Sequence, residues 1–159
     1  MTTFTISIEE IIKKCHNTIE QKTRKSRVKD ALGFGEGSST DGDIWLKEYV
    51  SNIADDVYTK LVAPLAVDIE TPYVNGILDD TENIIYKAEF PTTFDINTTP
   101  TVLSGMINTI VTYAVFMWLK DLAIPGWELE EDLHNKTFDN LRSLFHARKS
   151  VVKRSYSGF

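Results

Sequence analysis

The chain has 159 residues, 42% hydrophobic and 25% charged, with 17 Lys+Arg against 23 Asp+Glu and a net charge of −6. That balance fits one globular domain and argues against collagen-like, coiled-coil and disordered classes. At this length roughly two-thirds of the unfolded surface can be buried without help from a metal or disulfide, and the single Cys15 excludes an intrachain disulfide framework or a multi-cysteine zinc site.

Met1–Thr5 holds no basic cluster and leads into an amphipathic helix, not a targeting segment. That helix is predicted to begin at Ser7, which forms a capping box with Glu10. Ile8, Ile11, Ile12, Cys15 and Ile19 then recur at helical spacing and define a narrow face that must be buried. Polar residues Gln21–Ser26 end the stripe, and a short helical turn is predicted over Arg27–Leu32. Gly33–Ser39 reads as a loop. Thr40 or Asp41 caps a second helix, at about Ile44–Val62, with Leu46, Val50, Ile53, Val57 and Leu61 inward. Tyr49, Ala54 and Leu65 widen this face, and Pro64 is predicted to end or kink the helix.

Tyr73–Leu78 and Ile84–Phe90 are rich in Ile, Val, Tyr and Phe and flank the turn-like Asp79–Asn83, which predicts a β-hairpin over about 73–90. The Thr- and Asn-rich stretch Pro91–Pro100 leads to a central helix over about Thr101–Leu122. Val102–Leu119 contains no charge, and its length is near the ~18-residue threshold for a membrane span. The polar stripe Thr101, Ser104, Asn108 and Thr112 favours instead a central helix buried on most sides. So apolar a helix has few partners in a domain this small, so Trp118 belongs either to the core or to an interface with another subunit. Pro125-Gly126 breaks the chain, and a last helix is predicted over about Leu129–Lys149. Its apolar face is read as Leu133, Phe138, Leu141, Leu144 and Phe145. Acidic Glu128, Glu130, Glu131 and Asp132 open it and basic Arg142, Arg148 and Lys149 close it, as the helix dipole favours. The expected fold is therefore mainly α. A bundle of about four helices with a β-hairpin insertion forms one domain over 1–149, and a basic, aromatic tail extends over 150–159.

Charge is segregated along the chain: +3 over residues 1–30, −14 over 31–141 and +5 over 142–159. An acidic body with basic ends is either solvated surface or a basis for head-to-tail packing and for docking on an acidic partner.

Catalytic signatures are weak. Cys15 and His16 are adjacent and point to different helix faces, so a buried structural cysteine is the better reading. His134 and His146 lie twelve residues apart on one predicted helix, about 18 Å of rise, too far to share a metal. Asp55-Asp56, Asp79-Asp80 and Glu130-Glu131-Asp132 are acidic clusters without an HExxH, EF-hand or paired-ligand pattern. The glycine-rich loop has Ser38 where a dinucleotide fingerprint needs its third glycine, and it lacks the Gly-Lys-Ser/Thr of a P-loop. Lys22, Arg24, Lys25, Arg27 and Lys29 form a basic cluster with no interleaved aromatic residue. The reading contains no catalytic residue, metal or cofactor.

The stretch Ile84-Ile85-Tyr86-Lys87-Ala88-Glu89-Phe90-Pro91-Thr92-Thr93-Phe94-Asp95 is followed by a long apolar helix ending Tyr113-Ala114-Val115-Phe116-Met117-Trp118-Leu119. An acidic helix and the basic Phe145-His146-Ala147-Arg148-Lys149 come next. In this order and texture the second half resembles small neck proteins of tailed bacteriophages, of the Bacteroidetes-phage type. The resemblance implies a head–tail connector, or adaptor, in the virion neck: a homo-oligomeric ring that binds the portal and other neck or tail proteins. It implies assembly in the host cytoplasm, no membrane association, and DNA passing through the lumen without sequence recognition. It also implies Arg148, Lys149, Lys153, Arg154, Tyr156 and Phe159 as docking residues on the portal or a neighbouring subunit. A hairpin departs from the simplest all-helical adaptor, which leaves a tail terminator or another connector ring open. The residues also leave open a cytoplasmic nucleic-acid-binding or regulatory protein using Lys22–Lys29, and an enzyme built on Asp55, Asp56 and a histidine.

Overall fold

The computed structural model describes residues 2–23, 41–65 and 83–147. Strand β1 (Thr2–Ser7) runs directly into helix α1 (Ile8–Thr23). Helix α2 (Asp41–Val57) continues through a widened π turn and a 3-10 turn to Leu65. Strand β2 (Asn83–Ala88) leads by a 3-10 turn at Ile96–Thr98 into α3 (Thr99–Asp121), and α4 is Trp127–Phe145. The result is a mostly helical bundle of four helices with one two-stranded antiparallel β-element.

The β-element differs from the expected hairpin in its pairing. β2 lies where the sequence places a strand, and its partner is the N-terminal β1. Phe4 stands opposite Tyr86, and Ile6 opposite Ile84. All four are buried, while Thr3, Thr5 and Ile85 face outward. This is the two-residue alternation of a half-buried strand, carried on β1 by only two apolar residues. The Tyr73–Leu78 arm of the expected hairpin lies outside the described residues. So do the turn at Arg27–Leu32, the glycine loop and Thr40.

Local chemistry accounts for the helix ends. Ser7 Oγ accepts the Glu10 N–H at 3.4 Å, the first half of the expected capping box. The Glu10 carboxylate pairs with Lys14 at 3.0 Å, one turn along the helix. Pro64 acts as expected: it has no N–H to give the preceding turn, and its ring crowds that turn's carbonyl. The helix widens before it, with the Ala63 N–H bonded to the Tyr58 carbonyl. Asp95 accepts the Asn97 N–H at 3.1 Å and starts the turn into α3, whose first turn tolerates Pro100. At the other end of α3, Ile124 N–H reaches the Leu119 carbonyl and Ala123 N–H the Lys120 carbonyl, both at 2.9 Å. This Schellman closure puts Ala123 at φ 51°, a position usually given to glycine.

α3 is the axis of the bundle. It packs against α1, α2 and α4. By length and composition it is apolar enough to cross a membrane, yet half of its apolar stretch is buried inside the domain. Trp118 is 1% exposed and belongs to the core, which decides between its two readings. The predicted inner faces of α1 and α2 are all buried, from Ile8 to Ile19 and from Leu46 to Leu61. On α4 the buried face is rotated from the expected one. Leu133 is 46% exposed, and Glu130 and His134 are turned inward beside Leu141 and Phe145.

An aromatic clamp closes the β end of the bundle. Phe90 stacks on Phe94 with centroids 3.9 Å apart, and it meets Phe4 at 6.2 Å and Phe145 at 5.8 Å. The clamp ties β1, the chain after β2 and the end of α4 together, with ring-pair geometries of the favoured kinds.

Candidate functional site: two clefts flanking helix α4

Helix α4 packs extensively on α3 alone. The polar α3 stripe seen in the sequence explains one side of this arrangement. A groove of about 650 Å³ lies between α1 and α4, floored by Thr101, Ser104, Asn108 and Thr112 of α3. Thr18 and Gln21 stand on its α1 side, and Leu133, Thr137 and Leu144 on its α4 side. Gly105 sits in the floor because a Cβ there would stand 3.1 Å from a Leu141 methyl. Its small size lets the two helices approach closely. Across one end, Lys22 donates to Glu130 and links α1 to α4. The groove offers hydroxyls, amides and leucine edges, a lining suited to an extended peptide and poor in acid–base chemistry.

The second cleft, about 410 Å³, separates α4 from α2. Asp56 and Lys60 line one side, Tyr113 and Phe116 the floor, and His134, Phe138 and Arg142 the other side. His134 lies against the rings of Tyr113 (5.2 Å), Phe116 (5.7 Å) and Phe138 (6.1 Å). Its Nδ1 is 3.4 Å from the Thr112 hydroxyl. Burial among these groups lowers its pKa, partly offset by the Thr109 carbonyl and Asp56. Lys60 and Arg142 both approach the Phe138 ring, at 5.7 and 5.5 Å. Each is already paired, Lys60 with Asp56 at 2.9 Å and Arg142 with Asp139 at 3.3 Å.

The structure brings one pair of the enzyme reading together: Asp56 and His134 share this second cleft. Asp56 is tied to Lys60, and aromatic rings pack about His134. Asp55 does not line the cleft, and burial together with Asp56 raises its carboxyl pKa. Among the described residues no three His, Cys, Asp or Glu side chains are placed to hold a metal ion. Cys15 is fully buried, and burial pushes its thiol up to about 12, so it is protonated and not nucleophilic near neutral pH. His146 is exposed just beyond α4, apart from His134. Within the basic cluster, Lys22 is engaged with Glu130, while Arg24, Lys25, Arg27 and Lys29 lie outside the described residues. The docking residues Arg148, Lys149, Lys153, Arg154, Tyr156 and Phe159 also lie outside them.

The buried polar side of α4 escaped the sequence reading. Glu130, His134, Leu141 and Phe145 recur at four and seven residues, the spacing of one helix face. A stripe traced through apolar residues alone passes through Leu133 instead. The intervals were available in the sequence, and the polar identities at two of the positions hid them.

No protein-family model, characterised protein or solved structure matches this chain.

Proposed function

We propose that the chain is a virion structural protein, a subunit of a head–tail connector ring in the neck of a tailed phage. The observation that carries this reading is a group of exposed large apolar side chains, among the described residues, at one end of the bundle. Ile44 is 51% exposed, Trp45 45% and Leu129 72%. Topology brings these residues to the same end. Trp45 lies one turn before Tyr49, whose hydroxyl donates to Asp121 at the end of α3, and Leu129 lies in the first turn of the following α4. Large apolar side chains gathered at one end suit an interface with another protein. A ring subunit needs rigid helices and two different lateral faces, because its contacts are heterologous and close by rotation. The open end of the bundle and the two dissimilar flanks of α4 suit that design, and the order and texture of residues 84–149 agree with it.

Light scattering after size exclusion tests the reading, with the chain alone and mixed with a candidate portal complex. Co-elution at a fixed high stoichiometry is expected, with loss of docking on deletion of residues 150–159. Replacing Trp45 and Leu129 by Ser is expected to prevent ring closure while leaving the helical signal intact. A full-length monomer that ignores the portal overturns the proposal.

A further inference from the structure

The cleft between α2 and α4 encloses a titratable ring. His134 is 8% exposed. Phe116 stacks on its ring, and Tyr113 and Phe138 meet it edge to face. The Thr112 hydroxyl donates to the Thr109 carbonyl at 3.1 Å, so its oxygen is free to accept from Nδ1 at 3.4 Å. The Thr109 carbonyl acts on the ring as a second acceptor. Both acceptors belong to α3, which puts the proton of the neutral ring on Nδ1. Nε2 is then the bare nitrogen, and among the described residues no hydrogen bond engages it. A second proton enters there and calls for an acceptor, because an imidazolium held among aromatic rings has lost most of its water.

The neighbouring elements offer few candidates. Asp56 on α2 and Lys60 on the π turn face the cleft, with Tyr113 from α3 and Glu131, Asp139 and Arg142 from α4 itself. Arg142 is held by Asp139 at 3.3 Å, and Tyr113 keeps its proton because burial raises its pKa. The charges that act on His134 are Asp56 and Lys60, the carboxylate favouring protonation of the ring and the ammonium opposing it. They are bonded to each other at 2.9 Å, one helical turn apart and both half-exposed. A surface pair of this kind is weak, whereas a carboxylate that accepts from a buried cation makes a strong, charge-assisted bond. Asp56 can therefore leave Lys60 at little cost and gain by turning to a protonated His134.

We propose that His134, Asp56 and Lys60 form a proton-operated switch across the α2/α4 cleft. A proton from solvent binds Nε2, the Asp56 carboxylate turns from Lys60 to accept from the new N–H, and the Lys60 ammonium is released to water. In the neutral state α4 meets α2 through packing and the cations of the cleft are paired. In the protonated state an ion pair ties α4 to α2, and a free ammonium stands at the mouth of the cleft. The surface beside α4 thereby gains a positive charge and a new donor in acid, a change that a partner reading this face would sense. The switch is built from described residues alone and operates whether or not the chain forms a ring.

The test follows the full chain by NMR as the pH falls, reading the His134 ring nitrogens, the Asp56 carboxyl carbon and the Lys60 ammonium. His134 is expected to show the Nδ1–H tautomer at neutral pH and to titrate below pH 6.5 with the fold intact. The Asp56 and Lys60 signals are expected to move with the same midpoint and to lose that step in His134→Phe. Asp56→Asn is expected to lower the His134 midpoint by about one pH unit, and Lys60→Met to raise it. Both side chains are half-exposed, so these two variants are expected to fold. An Nε2–H tautomer overturns the proposal, as does unfolding before His134 titrates. A His134 midpoint indifferent to Asp56→Asn, or a Lys60 signal that ignores the His134 step, also overturns it. A midpoint that responds to Glu131→Gln or Asp139→Asn in place of Asp56→Asn overturns it too, because the acceptor then belongs to α4 and no link to α2 is made.

Discussion

The two flanks of α4 meet the same axial helix through different chemistry. Toward α2, His134 and Phe138 pack with Tyr113 and Phe116, and the cations there are already paired. Toward α1, exposed Thr, Ser and Asn side chains floor an open groove, bridged at one end by Lys22 and Glu130. The α2 flank has the burial that stabilises a fold. The α1 flank instead leaves the polar side chains Thr101, Ser104 and Asn108 exposed. A helix held on one side by packing and open on the other is a natural place to join structure to assembly.

The largest expected effect is on the aromatic flank. Phe116 is 6% exposed, and truncation of such a core aromatic costs about 3–5 kcal/mol. Urea unfolding of Phe116→Ala is expected to show a loss of that size. A loss under 1 kcal/mol would mean that this flank does not hold α4.

Acid separates the flanks next. Burial lowers the pKa of His134 from its ordinary value of 6.5. The unfolded chain therefore binds the proton more readily than the folded one. Stability from neutral His134 is complete above pH 6.5 and is lost as pH falls below that value toward the lowered folded pKa. Asp56, Lys60, Tyr113, Glu131, Asp139 and Arg142 also face this cleft. Unfolding midpoints for wild type and His134→Phe are expected to diverge on acidification, with the wild type falling faster. Parallel curves would remove His134 as the source.

On the groove flank, the Lys22–Glu130 bridge joins α1 to α4. The Glu130 side chain is 11% exposed and that of Lys22 36%, so Lys22 can turn to water when its partner is removed. Glu130→Ala is expected to cost about 1–2 kcal/mol, between the values for exposed and buried pairs. A double-mutant cycle with Lys22→Met isolates the coupling. Zero coupling would mean that α4 rests on α3 and the aromatic clamp alone.

Legibility in the sequence follows the same divide. Ile8 through Ile19 and Leu46 through Leu61 are pure apolar stripes, and all of those predicted residues are buried. The α4 face was misread because two of its inward positions are Glu130 and His134, buried only through partners on other helices. Strand β1 was missed because Phe4 and Ile6 are its only inward residues and its partner begins at Asn83, far along the chain. Local periodicity cannot report a pairing of that range. The polar stripe on α3 was visible from the start, although its meaning depended on knowing that α1 and α4 leave it uncovered.

The smallest effect is the most telling for the groove. Asn108 is exposed in the floor, and no hydrogen bond to a described residue fixes its side chain. A surface substitution of this kind changes stability by no more than about 0.5 kcal/mol. Asn108→Ala is expected to unfold with the wild-type midpoint. A loss above about 1 kcal/mol would instead mean that the floor of the groove carries packing of its own, and that the two flanks of α4 differ less than their exposure suggests.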